Sequence, residues 1–444
     1  MSTNSETRAF CVTCRQNIPA AVFEHNNVLH FRAHCPQCGP HETIIEHDAA
    51  LYHSWETRRR PNRAPEQFQT PATRGCPLDC GLCPNHRQKS CIALVEITTA
   101  CDLACPVCYA DAQTSGKHRP INEIERMFDA CVASANGKPE ILQISGGEPS
   151  CHPEILPILT AARQRPFKCV MLNTNGLAIA EGRLPATALA CLAPGFEVHL
   201  QFDGLSDDIY RVMRGRPLLA QKQAALSALA AAGVPVTLVA TLRQGVNLEQ
   251  VGDLLRFALK HPAVRGLNLQ CEAFFGRTPL EAASAGRVTQ TGVIHALTRT
   301  AGELLQPNDF LPLSCGLACM AYLEHWPEGW RPIPTVLGTL IQGNPLTATL
   351  EDIRREAASV CACRGAELLR ELAARVPTDL LQRSPTERSR FVQERFFHLS
   401  IISFLDAGNF DLNRACRECT HIVQSDGKKF PFSAFNTLHR AATN

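Results

Sequence analysis

The sequence predicts an α/β protein built around a parallel sheet with helices outside it. A small metal-binding ribbon precedes this sheet, and a mostly helical or irregular region that also carries cysteines follows it. Three observations lead there. Short β-branched or apolar runs alternate with longer segments of helical period from residue 91 to about residue 280. Two Cys-x2-Cys pairs stand 20 residues apart near the N-terminus, and 22 of the 444 residues are cysteine. No run approaches the roughly 20 apolar residues of a membrane span.

Composition narrows the function classes. With 44 basic against 42 acidic side chains the formal charge is +2, which gives no electrostatic case for nucleic acid. A hydrophobic content of 45% is enough for a large core and excludes general disorder. The opening MSTNSETRAFC has no apolar signal stretch, which points to a cytoplasmic protein, or one peripheral at the inner membrane surface. In that reducing compartment, clustered thiols signify metal rather than disulfides.

The elements follow in order. Residues 1–50 place Cys11, Cys14, Cys35 and Cys38 around an alternating run from Val22 to Phe31, a tetrathiolate ribbon or knuckle for one zinc or iron ion. Residues 51–74 are rich in Pro, Arg and Thr and read as a linker. Residues 75–90 are an irregular loop with Cys76-x3-Cys80-x2-Cys83, which together with Cys91 supplies four ligands for an auxiliary 4Fe-4S cluster, zinc being the alternative. Between 91 and 280 six strand runs appear: CIALVEITT, EILQIS, FKCVMLNTN, FEVHLQFDG, VPVTLVATL and VRGLNLQCEAF. Helical segments such as INEIERMFDACVASA and NLEQVGDLLRFALK separate them, so the sheet is doubly wound or curled toward a barrel. Residues 281–444 add six cysteines and an apolar stretch from Phe396 to Leu405. Cys131, Cys151, Cys169, Cys191 and Cys271 are isolated and read as ordinary free thiols.

The chemistry lies after the first two strands. Cys101-x3-Cys105-x2-Cys108 directly follows the first, and Gly146-Gly147-Glu148-Pro149 directly follows the second. In a parallel βα barrel both loops fall on the face that carries active sites. Three thiolates so spaced ligate three irons of a 4Fe-4S cluster and leave the fourth open. This combination resembles the radical SAM superfamily, whose partial (β/α)6 barrel agrees with the six runs. The resemblance implies S-adenosylmethionine chelated at the open iron and cleaved by an electron from a reductant such as ferredoxin or flavodoxin. A 5′-deoxyadenosyl radical then abstracts hydrogen from an unactivated carbon. Gly146 and Gly147 would allow close backbone approach, and Glu148 would accept from the SAM ammonium. Asn175, Gln201 and Asp203, at the ends of strands three and four, are candidates for ribose or substrate, and Arg243 for the SAM carboxylate. The residue before the third cysteine is usually aromatic in this superfamily; here it is Val107, and Tyr109 can stand in against adenine.

The run GCPLDCGLCPNHRQKSCIALVEITTACDLACPVCYADA is similar to the archaeal tetraether lipid synthases and their bacterial relatives, a group also labelled dihydro-hydroxymethylpterin methylases. Similarity continues through QFDG, RGRPLL, RQGVN and the C-terminal FLDAGNFDLNRACRECTHIVQSDGKKFPFSAFN. It implies a rubredoxin-like N-terminal site, which favours iron there, and a second auxiliary 4Fe-4S cluster in the C-terminal region. Cys315, Cys319, Cys416 and Cys419 are the expected ligands, with Cys361 and Cys363 as further candidates and His421 as a ligand or a loop residue. Two positions depart from the group. Its members carry a Cys-Cys pair before the histidine matching His421 and a cysteine in the motif matching PFSAF, where this chain has Glu418 and Ser433. The resulting expectation is radical C–H activation for C–C bond formation on a lipid or other apolar chain, with Phe396 to Leu405 read as ordinary core or, alternatively, as the lining of its channel. The alternative is radical methylation or alkylation of a pterin-like small molecule. From another class comes a non-catalytic iron-sulfur electron carrier or metal-binding adaptor built from the same cysteines.

Overall fold

The computed structural model describes residues 5–56, 58–59, 62–278, 280, 286–333, 379, 382–384, 387, 391 and 394–440. Four antiparallel strands, β1 (Ser5–Cys11), β2 (Gln16–His25), β3 (Val28–Cys35) and β4 (Gly39–Glu46), pair in chain order. Asn26 and Asn27 both take positive φ, 50° and 61°, which suits the two-residue turn of the β2–β3 hairpin. The two cysteine-bearing turns close at Cys11↔Gln16 and Cys35↔Gly39, at one end of this sheet. Ala9, Ile18, Leu29, Phe31, Ala33 and Ile45 form its small core. Helix α1 (Ala49–Ser54) follows, its first turn capped by the Asp48 carboxylate accepting from Leu51 N.

Six strands then pair in sequence order, all parallel: β5 (Ile92–Glu96), β6 (Ile141–Ser145), β7 (Cys169–Thr174), β8 (Phe196–Gln201), β9 (Val236–Leu242) and β10 (Val264–Cys271). They are the six expected runs. Alternation places Val95, Ile144, Leu172, Val198, Leu238 and Leu267 on one face, where they join the principal core with residues of the intervening helices. Those helices include α2 (Ile121–Ala133), α3 (Ile155–Arg163), α4 (Leu177–Ala180), α5 (Ala186–Ala190), α6 (Asp207–Arg214), α7 (Leu219–Ala231) and α8 (Val251–Lys260).

The C-terminal region differs from the helical or irregular expectation. After α9 (Gln290–Ala301), the described residues form β11 (Leu311–Pro312), β12 (Ala318–Trp326), β13 (Gly329–Pro332), β14 (Phe396–Ile402), β15 (Thr420–Val423) and β16 (Lys429–Pro431). These widen the barrel sheet at both edges, with β14 parallel to β10 and β15 parallel to β5. The stretch read as core or channel lining contains β14. Its Phe397, Leu399 and Ile401 are fully buried in the principal core, while His398 and Ser400 face the other way. A short apolar run cannot be told from a helix or channel wall by hydrophobicity alone, and here residues 397–401 are buried on both faces as a packed strand. Cys361 and Cys363 lie outside the described residues. Among the described residues no helix is long and apolar enough to cross a membrane.

Candidate functional site

The loop after β5 is pinned at both ends. Thr99 N donates to Lys117 O at 2.9 Å and Cys101 N to Gln113 O at 3.1 Å, so Cys101, Cys105 and Cys108 project from a closed loop. The glycines after β6 fit beneath it. Gly147 N and Glu148 N each donate at 2.8 Å, to Thr98 O and Ala100 O. A Cβ on Gly146 would stand 2.3 Å from Thr98 O, and one on Gly147 2.3 Å from Ala100 O, so any side chain there would push the cysteine loop away. Two arginines hold the loop from the other side. Arg277, past β10, donates to Cys105 O at 2.8 Å, and Arg214 donates to Val107 O at 3.2 Å. Burial raises the Cys101 and Cys105 thiols, and the Arg214 guanidinium opposes this at Cys105 by stabilising the thiolate.

Four of the expected contact residues belong to one buried network. Glu148 accepts from Ser150 Oγ at 2.6 Å, Thr174 Oγ1 at 2.7 Å and Asn175 N at 2.7 Å. Gln201 donates to Asp203, which also takes both ends of the Arg214 guanidinium at 2.6 and 2.8 Å. Lys222 ties the two halves together, donating to Asn175 O at 2.5 Å and Gln201 Oε1 at 2.6 Å. Sequence reasoning singled out neither Lys222 nor Arg214. Lys222 had a signal: it shares the buried stripe of α7 with Ala225, Leu226 and Leu229, a lysine where helical spacing calls for an apolar residue. Burial lowers it to about 8, against the pull of Asp203.

The remaining two expected contacts are engaged elsewhere. Arg243 is paired with Glu272 at the end of β10, its Nε 2.8 Å from Oε2, so a SAM carboxylate would compete with that ion pair. Tyr109 hydroxyl lies 3.0 Å from Ser145 Oγ, and its ring packs 5.2 Å from Phe432 within an aromatic cluster. Val107 packs instead against Ile209 and Met213.

Comparison with known proteins decides the family. Residues 95–258 match the family described as Radical SAM superfamily, and residues 3–47 match the HMPTM N-terminal zinc ribbon domain. The chain is 30% identical to the 7,8-dihydro-6-hydroxymethylpterin dimethyltransferase of Methanocaldococcus jannaschii, over 98% of this chain and 94% of that protein. This chain belongs to the radical SAM superfamily. More partial relatives of this radical SAM enzyme are the PqqA peptide cyclase of Ruegeria pomeroyi, 31% identical over 41% of this chain and 47% of that one, and the probable GTP 3′,8-cyclase of Methanothermobacter marburgensis, 26% identical over 40% and 57%.

The other thiols of the radical SAM enzyme fall into three sets. Cys11, Cys14, Cys35 and Cys38 have their sulfurs all within 4.8 Å of one another, the only such group of potential ligands among the described residues. That spacing suits a single tetrahedral ion. Cys76, Cys80, Cys83 and Cys416 line one cavity with His86, and the neighbouring Cys416 thiol raises Cys76. The Cys419 thiol lies beside those of Cys91 and Cys315, which raise it. The thiols thus fall into neighbourhoods that differ from the expected sets. Cys416 stands where Cys91 was expected, Cys91 joins Cys315 and Cys419, and Cys319 is buried in the principal core. The cause is an edge pairing: β15 lies against β5 with Thr420 opposite Ile92, and Cys91 N donates to Cys419 O at 2.9 Å. His421 Nε2 meets His86 Nε2 at 3.1 Å, both rings buried.

Proposed function

We propose that this radical SAM enzyme methylates or alkylates a pterin-like heterocycle. The observation that carries the reading is the end-to-end similarity to a pterin dimethyltransferase, covering ribbon, barrel and C-terminal region alike. The lipid reading loses its one local support, since Phe396–Ile402 packs as a core strand.

The donor chemistry fits the implied groups. Cys101, Cys105 and Cys108 would hold a 4Fe-4S cluster, with S-adenosylmethionine at its open iron; together these supply a carbon-centred radical that takes hydrogen from an unactivated C–H bond. The protein's part is positional. Arg214 and Arg277 fix the loop, Gly146 and Gly147 keep it close to the sheet, and the network of Glu148, Asn175, Gln201, Asp203 and Lys222 presents preorganised polar groups at the strand ends. In this reading Cys76, Cys80, Cys83 and Cys416 hold one auxiliary cluster and Cys91, Cys315 and Cys419 contribute to another. The four ribbon cysteines hold zinc, favoured over iron by the match to a zinc ribbon.

Substrate-dependent formation of 5′-deoxyadenosine tests the reading. Reconstituted protein with SAM and dithionite should form it faster when 7,8-dihydro-6-hydroxymethylpterin is added. Acceleration by a glycerophospholipid and not by the pterin would overturn it.

A further inference from the structure

The inner face of the barrel holds a polar row that neither the cysteine loop nor the thiol sets use. Parallel barrels normally fill this space with layers of Val, Ile and Leu. Here strand register aligns Asn173 on β7 with His199 on β8, His199 with Thr237 on β9, Thr237 with Gly266 on β10, and Gly266 with His398 on β14. The row is hydrogen-bonded across strands. Gln143 on β6 donates to Asn173 Oδ1 at 2.7 Å and lies 3.3 Å from His199 Nδ1. His199 Nε2 is 2.7 Å from Glu197 Oε1, and Thr237 Oγ1 is 3.3 Å from His398 Nε2. Glu197 is 0% exposed.

Two features separate this row from a polar plug. A Cβ on Gly266 would stand 2.1 Å from the His398 ring, so β10 gives up its side chain to admit an imidazole. One register step toward the catalytic end, opposite Val239 and hence in the row of Gln201, Asn268 is 9% exposed and its Oδ1 has no hydrogen-bond partner. Leaving a buried amide oxygen unpaired destabilises the fold, which an apolar residue would avoid. The row sits two residues, about 7 Å, below the strand-end network on the same strands, since Asn173 precedes Asn175 and His199 precedes Gln201 by one pleat repeat.

We propose that this row, with Asn268 above it, is the floor that reads the hydrogen-bonding edge of a flat, nitrogen-rich heterocycle. The inference rests on the pterin reading and names the residues that would carry it. Such a ring offers mixed donors and acceptors to the amides of Asn173 and Asn268, while Glu197, enclosed one pleat repeat below the row, holds His199 in place as a positioning residue. An alkyl chain offers nothing to these groups and would leave the Asn268 amide oxygen unpaired.

The test is anaerobic equilibrium dialysis of the reconstituted full-length protein against 7,8-dihydro-6-hydroxymethylpterin, comparing wild type with Glu197→Gln and Asn268→Leu. Iron content and circular dichroism check the fold. Wild-type binding that weakens at least tenfold in both variants supports the floor. Asn268→Leu breaks no hydrogen bond, so it is the variant read if Glu197→Gln misfolds, and it should raise the melting temperature while weakening binding. Wild-type binding retained within twofold in Asn268→Leu would overturn the floor and leave the pterin reading standing. No binding by a wild-type protein of full iron content would overturn the pterin reading, and the floor with it.

Discussion

Ser433 donates to the Glu418 carboxylate through both its backbone amide, at 3.0 Å, and its hydroxyl, at 2.8 Å. These are the two positions at which the sequence departs from the cysteine pattern of the tetraether synthase and pterin methylase group, and in the fold they touch. Two departures 15 residues apart in the chain are therefore one local exchange, in which a buried carboxyl and hydroxyl satisfy each other. Burial pushes the Glu418 carboxyl up to about 8, so the contact is needed to keep a polar group there at all.

Ser433 Oγ also accepts from Leu405 N at 2.9 Å. Ser433→Ala strands that amide and removes one donor to Glu418, so it should destabilise the protein by about 1–3 kcal/mol. Denaturant unfolding checks this, and a loss below about 0.5 kcal/mol would mean that neither contact matters in solution.

The regrouped thiols make a spectroscopic prediction. Cys416→Ser should remove the same cluster signal, and about four irons, as Cys76→Ser, whereas Cys91→Ser should match Cys419→Ser. Electron paramagnetic resonance with iron counting reads the outcome. If Cys91→Ser instead behaves like Cys76→Ser, the pairing of β15 with β5 does not set the ligands.

Zinc in the ribbon predicts one zinc per chain by elemental analysis. Cys14→Ser should lose it while iron-sulfur absorbance is retained, because the ribbon cysteines form a closed set of their own. Iron at this site after expression in zinc-replete medium would reverse the assignment.

His398 is fully enclosed in the barrel, and burial lowers it to about 4; Glu197 opposes that shift and His199 adds to it. Its unfolded value is near 6.5, so between those values the unfolded chain binds the extra proton. Stability from this group is full above about pH 6.5 and is lost as pH falls toward 4, by about 3 kcal/mol in all. Melting temperatures at pH 7 and pH 5 should differ less in His398→Gln than in wild type, and an equal difference would locate the acid sensitivity elsewhere.

What could be read from the sequence was what neighbours in the chain determine. The six barrel strands, the cysteine loop after the first and the glycines after the second are local patterns with fixed offsets, and all stand where expected. Lys222 and Arg214 escaped notice because their roles appear only once α6 and α7 are laid against the strand ends. That Cys91 lies beside Cys419 is not visible in the sequence for a similar reason: Cys419 arrives just before β15, an edge strand delivered from the far end of the chain. The segment from Phe396 to Leu405 leaves core and channel lining both open in the sequence, because apolar content alone does not show that β10 and β12 flank it on either side.

Radical chemistry on a pterin would leave its product in the pterin pool of living cells. Mass spectrometry of cells carrying the wild-type protein should reveal a pterin with one or more added methyl or alkyl groups that is absent from cells carrying Cys105→Ser. Identical pterin pools in the two, with lipids altered instead, would contradict it.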